Sequence, residues 1–252
     1  KELQTRERAF ALLAEKMDIV ILSSQTAKDD FIKYYPQYAE KARVLRFVPA
    51  IDFSARRTMA EVKEKYALPE KFFFLPNQYW VHKNHKIVLE ALRILKQQGK
   101  SVCVVSTGNT KDYRSPTHFA ALQEWIRQYD IGDMYIILGM VPYADVQSLA
   151  EAAWAYINPS FFEGWSTTVE EAKYRGKPIL LSDLKVHREQ APQKGVYFDP
   201  TDPDELADKM WKMWNIESME EEEVTALEVV HQKALKTFAE TYDAILEEGQ
   251  RN

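Results

Sequence analysis

Apolar residues along the chain fall into two alternating patterns. Short runs rich in β-branched and aromatic residues occupy 19–22, 44–48, 72–75, 102–105, 135–138, 155–157, 179–181 and 196–198. Between them, apolar positions recur at steps of three and four. Val88, Ala91, Leu92 and Leu95 mark one helix face, and Phe119, Leu122, Ile126 and Tyr129 mark another. A strand buried on both faces reads as a continuous apolar run, and an amphipathic helix shows a period near 3.6. The alternation therefore predicts an α/β fold built on a parallel sheet.

Helix ends are written into the same pattern. Asp202-Pro203-Asp204-Glu205 supplies an N-cap, a proline at the first helical position and an acid in the first turn. Ser218 and Glu221 repeat the capping spacing, and Gly176 followed by Pro178 closes the helix that begins near Thr167. The stretch PAIDFSARR, 49–57, reads as a linker, and 58–66 as a short helix feeding a fresh strand. Six strand runs follow it and only two precede it. The chain divides into 1–54, too little for a domain of its own; 55–223, a Rossmann-like doubly wound parallel sheet of about six strands; and 224–252, a closing helix. That helix has apolar spacing at Leu227, Val230, Ala234, Phe238 and Tyr242, which predicts that it packs back on the N-terminal unit.

Composition narrows the function. The 252 residues carry a formal net charge of −5, which argues against a general nucleic-acid binder. The single cysteine, Cys103, cannot form an internal disulfide and fits a reducing compartment. No run approaches the roughly 18 apolar residues of a membrane span. The charged opening KELQTRERAF does not read as a signal peptide, and a first residue of Lys rather than Met reads as a piece of a longer chain.

In an open parallel sheet, ligands bind beyond the carboxyl ends of the strands. The segments that follow the runs there are Pro76-Asn77-Gln78, Ser106-Thr107-Gly108, Gly139-Met140-Val141, Asn158-Pro159-Ser160 and Ser182-Asp183. The richest continues as SFFEGWSTTVEEA, 160–172. Thr167 and Glu170 have capping-box spacing, so a helix starts near Thr167. Gly164 lets backbone come close to a ligand, and the N–H groups of Trp165 to Thr168 would point out of a positive helix end that suits a phosphate. Glu163 lies on the loop before this helix and Glu171 about one turn inside it, so each carboxylate is placed to accept from hydroxyls on one side of an anion. A ligand with hydroxyls at both ends and a diphosphate between them is a nucleotide sugar. Taken by spacing alone, a glutamate near a helix start is equally accounted for by the helix dipole, and Trp165 by packing. His82 and His85, three apart in VHKNHK, lack a matching carboxylate or cysteine cluster, so no metal site is expected.

These residues resemble the GT-B glycosyltransferases, specifically glycosyltransferase family 4. The family's pattern of two glutamates separated by seven residues is met by Pro159-Ser160-Phe161-Phe162-Glu163-Gly164 and then Glu171-Ala172. Gly176-Lys177-Pro178, Lys83-Asn84 and Leu138-Gly139-Met140-Val141 match three further elements, in order, over roughly 72–214. The resemblance implies a retaining, metal-independent and cofactor-free transfer. A hexose would pass from a nucleotide-diphosphate sugar, with UDP-glucose favoured over GDP-mannose, to a polysaccharide or lipid-linked glycan.

The roles it implies are specific. Lys83 would bind the donor diphosphate and Glu163 the sugar near the reacting carbon, the two catalytic groups. Glu171 would hold the ribose, and Val141 would meet the base. Asn77, Gln78, Gly164 and the backbone of Trp165, Ser166 and Thr167 would complete the donor site. Two positions depart from the family: Gln78 stands where an arginine is usual, with His82 and Lys86 as substitute cations, and Ser166 stands where glycine is common. In this view 1–54 is the end of an acceptor-binding N-terminal domain, the missing part of which would carry the acceptor site and any peripheral contact with a membrane. The resemblance places the protein in the cytoplasm, at the inner membrane face where such contact exists. Two other readings use the same residues: a non-catalytic nucleotide-sugar binding subunit or fragment that needs a partner, and a nucleotide-sugar epimerase, against which the paired glutamates weigh.

Overall fold

The computed structural model describes residues 2–53, 59–218 and 223–251. The Ser218–Glu221 capping pair and the start of the 58–66 helix lie partly outside these residues. An N-terminal unit contains α1 (Glu2–Lys16), β1 (Val20–Leu22), α2 (Gln25–Tyr34) and β2 (Ala42–Val44). α3 (Met59–Tyr66) then leads into β3 (Phe73–Leu75), α4 (His85–Gln97), β4 (Val104–Thr107), α5 (His118–Gln128) and β5 (Tyr135–Gly139). The second half continues as α6 (Tyr143–Ala152), β6 (Ala155–Asn158), α7 (Thr167–Tyr174), β7 (Ile179–Ser182), α8 (Lys185–Gln190), β8 (Gly195–Phe198), α9 (Pro203–Trp214) and α10 (Val224–Arg251).

The main sheet has six parallel strands in the order β5-β4-β3-β6-β7-β8. Its first strand, β3, is central and is fully buried. Side chains alternate across it. Phe73 and Leu75 join a core with α4, α5 and α9, whereas Phe72 and Phe74 face α3, α6 and α7. The connections leave β3 toward β4 and β6 toward β7, in opposite directions. The point where strand order reverses is therefore the β3/β6 pair, and a crevice opens beyond it, between loops 76–84 and 159–166.

β1 and β2 form a separate two-stranded parallel pair, with Val20 opposite Ala42. The expected 44–48 strand is shifted toward the N-terminus. Pairing ends when the Leu45 N–H reaches Leu22 O, and residues 46–48 then run toward the main domain. α10 reaches this unit, where Glu248 accepts from the Arg43 guanidinium. Its buried face matches the expected one in part: Leu227 is buried and Ala234 and Phe238 are partly so, while Val230 and Tyr242 are exposed and His231 and Ile245 are inside instead. His231 was passed over because it is polar. In the fold its Nε2 meets Pro49 O at 2.8 Å, and its ring lies between Phe53 and Tyr174.

Candidate active site

Two short links bring the crevice loops together, and a third bond ties Asn84 to the segment after β8. Asn84 adopts the left-handed conformation (φ 54°), which asparagine tolerates. From there its Nδ2 donates to Pro159 O at 3.1 Å and to Pro200 O at 2.9 Å. The Phe161 N–H donates to His82 O at 2.8 Å. The consequence is that Lys83 Nζ sits 2.7 Å from Glu163 Oε1, with both side chains largely out of water. Ser160 Oγ also reaches Glu163 Oε1, at 2.7 Å, which leaves Oε2 without a partner among the described residues.

Beneath the pair lies a buried amide network. Asn158, at the end of β6, donates to Ser166 Oγ at 2.6 Å, and its Oδ1 lies 2.8 Å from Ser160 Oγ, competing with Glu163 Oε1 for that hydroxyl's one proton. Thr168 Oγ1 donates to Asn77 Oδ1 at 3.2 Å. Asn77 is only 3% exposed, so its side chain braces β3 against α7 and is not open to a ligand.

The start of α7 differs from the expected capping box. Ser166, not Thr167, is the N-cap, accepting from the Val169 N–H, and Glu170 instead receives Lys173 and Gln190. Serine at this position therefore does not crowd the crevice, because its side chain is buried beneath it. The Ser166 N–H is already used: it donates to Gln190 Oε1 at 3.2 Å. The N–H groups left without a partner among the described residues are those of Trp165, Thr167 and Thr168. They sit at the positive end of α7 and suit an anion. Gly164 closes against the N-terminal unit, since a Cβ there would lie 3.3 Å from Ser23 Oγ. The Trp165 indole donates to Phe47 O at 3.1 Å, so it ties the loop to that unit.

Glu171 is half-buried and has no hydrogen-bond partner among the described residues. Burial raises its carboxyl above the ordinary range, against the pull of Arg175. Arg175 is itself drawn away to Glu151 and Gln147. An unpartnered carboxylate one turn inside a helix is poised to accept from ligand hydroxyls. Val141 is half-buried at the edge of the α6 side of the core.

Gln78 is anchored through its oxygens: its Oε1 accepts the Asn109 N–H at 2.6 Å and its carbonyl meets His85 Nε2, which leaves the side-chain Nε2 without a partner among the described residues. His85 is fully buried, stacked 4.1 Å from Tyr79, and burial pushes its pKa down to about 3. Lys86 pairs with Glu90 at 3.3 Å. Among the described residues, no three His, Cys, Asp or Glu side chains group as a metal would need. Asn84, Asn158 and Ser160 were named only as parts of motifs or strand-end segments, with no role given, and Gln190 was not named at all. The amides Asn84, Asn158 and Gln190 have partners 75, 81 and 24 residues away, and no local spacing signals such pairs.

The α/β fold with its six-stranded parallel sheet matches solved GT-B glycosyltransferase structures. The chain belongs to the glycosyl transferases group 1 family, whose model matches residues 57–226. It is 27% identical over 203 residues to the O-antigen chain mannosyltransferase RfbU of Salmonella typhimurium, covering 79% of this chain and 51% of that protein. Over 70 residues it is 34% identical to O-antigen chain mannosyltransferase B of Escherichia coli, 28% of this chain and 18% of that one. Among solved structures, Anabaena HepE in complex with UDP-glucose superposes with a TM-score of 0.72 at 17% identity, covering 98% of this chain and 66% of that one. Sucrose-phosphate synthase from Thermosynechococcus elongatus gives 0.69, also at 17%, covering 98% of this chain and 60% of that one. The chain thus spans about half the length of RfbU.

Proposed function

We propose that the chain is the donor-binding half of a retaining family 4 hexosyltransferase. The observation that carries the reading is the meeting of Lys83 and Glu163 from the two crevice loops, beside the free N–H groups of α7. Lys83 offsets the charge that develops on the departing diphosphate, and the Trp165, Thr167 and Thr168 amides share it. Glu163 accepts from sugar hydroxyls through Oε2. Glu171 accepts from the ribose hydroxyls, and the backbone at Val141 meets the base.

The transferred hexose is mannose in this reading, because two relatives carry the name mannosyltransferase. The sequence alone leaned to UDP-glucose, and the UDP-glucose complex belongs to a structure too distant to carry more than the fold. The acceptor is a lipid-linked or polysaccharide glycan. It approaches through the cavity of about 170 Å³ between α2 and loop 161–164, where Asp30 and Phe162 stand beside Glu163.

The test is calorimetric titration with UDP, GDP, UDP-glucose and GDP-mannose, in chelator. Binding of GDP and GDP-mannose alone supports mannosyl transfer, and binding of the uridine pair alone returns the donor to UDP-glucose. Binding of none overturns the donor site.

A further inference from the structure

α8 has six residues, and two adjacent ones make unlike contacts. Glu189 turns its carboxylate on the N-terminal unit. Oε1 accepts the Gln25 N–H at 2.7 Å and Arg46 Nη2 at 2.7 Å, and Oε2 accepts the Thr26 N–H at 2.9 Å and Thr26 Oγ1 at 3.0 Å. It thereby serves the first free N–H groups of α2, a favourable place for an anion. Gln190 turns the other way. Its Oε1 takes the Ser166 N–H, and its Nε2 donates to Ser166 O at 2.9 Å and Glu170 Oε1 at 2.8 Å. One side-chain amide thus makes with Ser166 both bonds that a paired strand residue would make, and Gln190 is buried at 3% exposure.

Ser166 is the N-cap of α7, so its backbone angles decide where the Trp165, Thr167 and Thr168 N–H groups point. The chain of contacts also closes on itself. Arg46, which holds Glu189, places its guanidinium 5.7 Å from the Trp165 ring centroid, and the next residue, Phe47, accepts from the Trp165 indole. The circuit therefore runs Arg46, Glu189, Gln190, Ser166, Trp165 and back to Arg46.

We propose that Gln190 is the positioning residue of the anion-binding loop, and that the Arg46–Glu189 contact makes its grip depend on the N-terminal unit. The register of the loop then depends on contacts that reach it from the N-terminal unit through Glu189 and Gln190. That the anion belongs to a nucleotide donor rests on the function proposed above; the coupling itself does not.

The experiment compares the intact chain with Gln190→Met, which keeps the volume and loses the amide, and with Arg46→Met, which removes the contacts of a half-exposed side chain with Glu189 and the Trp165 ring. Amide hydrogen exchange is read first, without ligand. Gln190→Met is expected to speed exchange at the bonded amides of Ser166 and Val169 by about tenfold or more, and Arg46→Met to speed the same amides by a smaller factor. Affinity is read second, with UDP and GDP as probes. Whichever binds the unaltered chain should bind Gln190→Met about tenfold more weakly. Acceleration in Arg46→Met confined to Gln25 and Thr26, with Ser166 and Val169 unchanged, overturns the coupling. A loosened loop in Gln190→Met with full nucleotide affinity overturns the positioning role. If neither nucleotide binds the unaltered chain, the donor reading fails and the exchange arm still decides the coupling. If Gln190→Met does not fold, Arg46→Met carries that arm alone.

Discussion

Lys83 Nζ and Glu163 Oε1 stand 2.7 Å apart, although the residues are 80 positions apart in sequence and belong to loops on either side of the β3/β6 reversal. Their side chains are 15% and 8% exposed. Removing one member of such a pair strands the other charge away from water. Lys83→Met should cost about 3–5 kcal/mol of unfolding free energy. Adding Glu163→Gln should restore much of that loss, because the stranded charge is gone. Urea denaturation of the two single variants and the double variant checks this. A double variant no more stable than Lys83→Met would show that the pair is not electrostatically coupled.

Glu171 should trade stability for binding. Burial raises its carboxyl above the ordinary range of a glutamate. The folded state therefore holds its proton to higher pH than the unfolded chain does. As pH rises from about 4.5 through the raised value, the unfolded state binds fewer protons and stability falls. Glu171→Gln should consequently melt higher than the unaltered chain at pH 7, with the gap closing as pH falls toward 4.5. The same variant should bind nucleoside diphosphate more weakly by roughly 1.5–3 kcal/mol, the loss of a hydrogen bond to a charged group. Thermal melts across pH and a titration read both effects.

Gln78 marks a cation that this chain lacks. Its Oε1 accepts the Asn109 N–H at 2.6 Å, so the side chain braces two loops. Gln78→Arg should lower stability by roughly 0.5–1.5 kcal/mol through loss of that bond. It should tighten diphosphate binding, and the gain should shrink as salt rises. Affinity for a nucleoside diphosphate at two ionic strengths measures it.

Tyr156 offers a gain without a cost. Its ring packs edge-on against Phe74 at 5.8 Å, and its hydroxyl is buried with no hydrogen-bond partner among the described residues. Tyr156→Phe removes an unsatisfied polar group and should stabilise the chain by roughly 1–3 kcal/mol. Nucleotide affinity should not move, because the residue is fully enclosed.

The strands and the two-faced core were legible because parallel strands buried on both sides are continuous apolar runs, as in 72–75. The order of the strands was legible only as a class, since the position of β6 beside β3 is a tertiary fact. Within the site, the helix start was located to within a residue, yet the cap was assigned to Thr167 instead of Ser166. Three of the four residues at 165–168 are polar and carry hydroxyls or can cap, so spacing alone could not choose among them. Gln78 and Asn77 were taken for ligand contacts because they follow a strand. Asn77 is buried and bonded to Thr168, and Gln78 is anchored through its Oε1 to the Asn109 N–H. His231 and Gln190 were missed because a buried polar residue breaks the apolar periodicity by which core positions are found.

The division of labour between the two glutamates is the centre of the account, and one crossed titration tests it. The unaltered chain, Glu163→Gln and Glu171→Gln are each titrated with the nucleoside diphosphate that binds and with its hexose conjugate. The account predicts that Glu171→Gln weakens both ligands equally, while Glu163→Gln weakens the hexose conjugate by about 1.5–3 kcal/mol more than the bare nucleotide. Equal losses for both ligands in Glu163→Gln, or full affinity in Glu171→Gln, would contradict it.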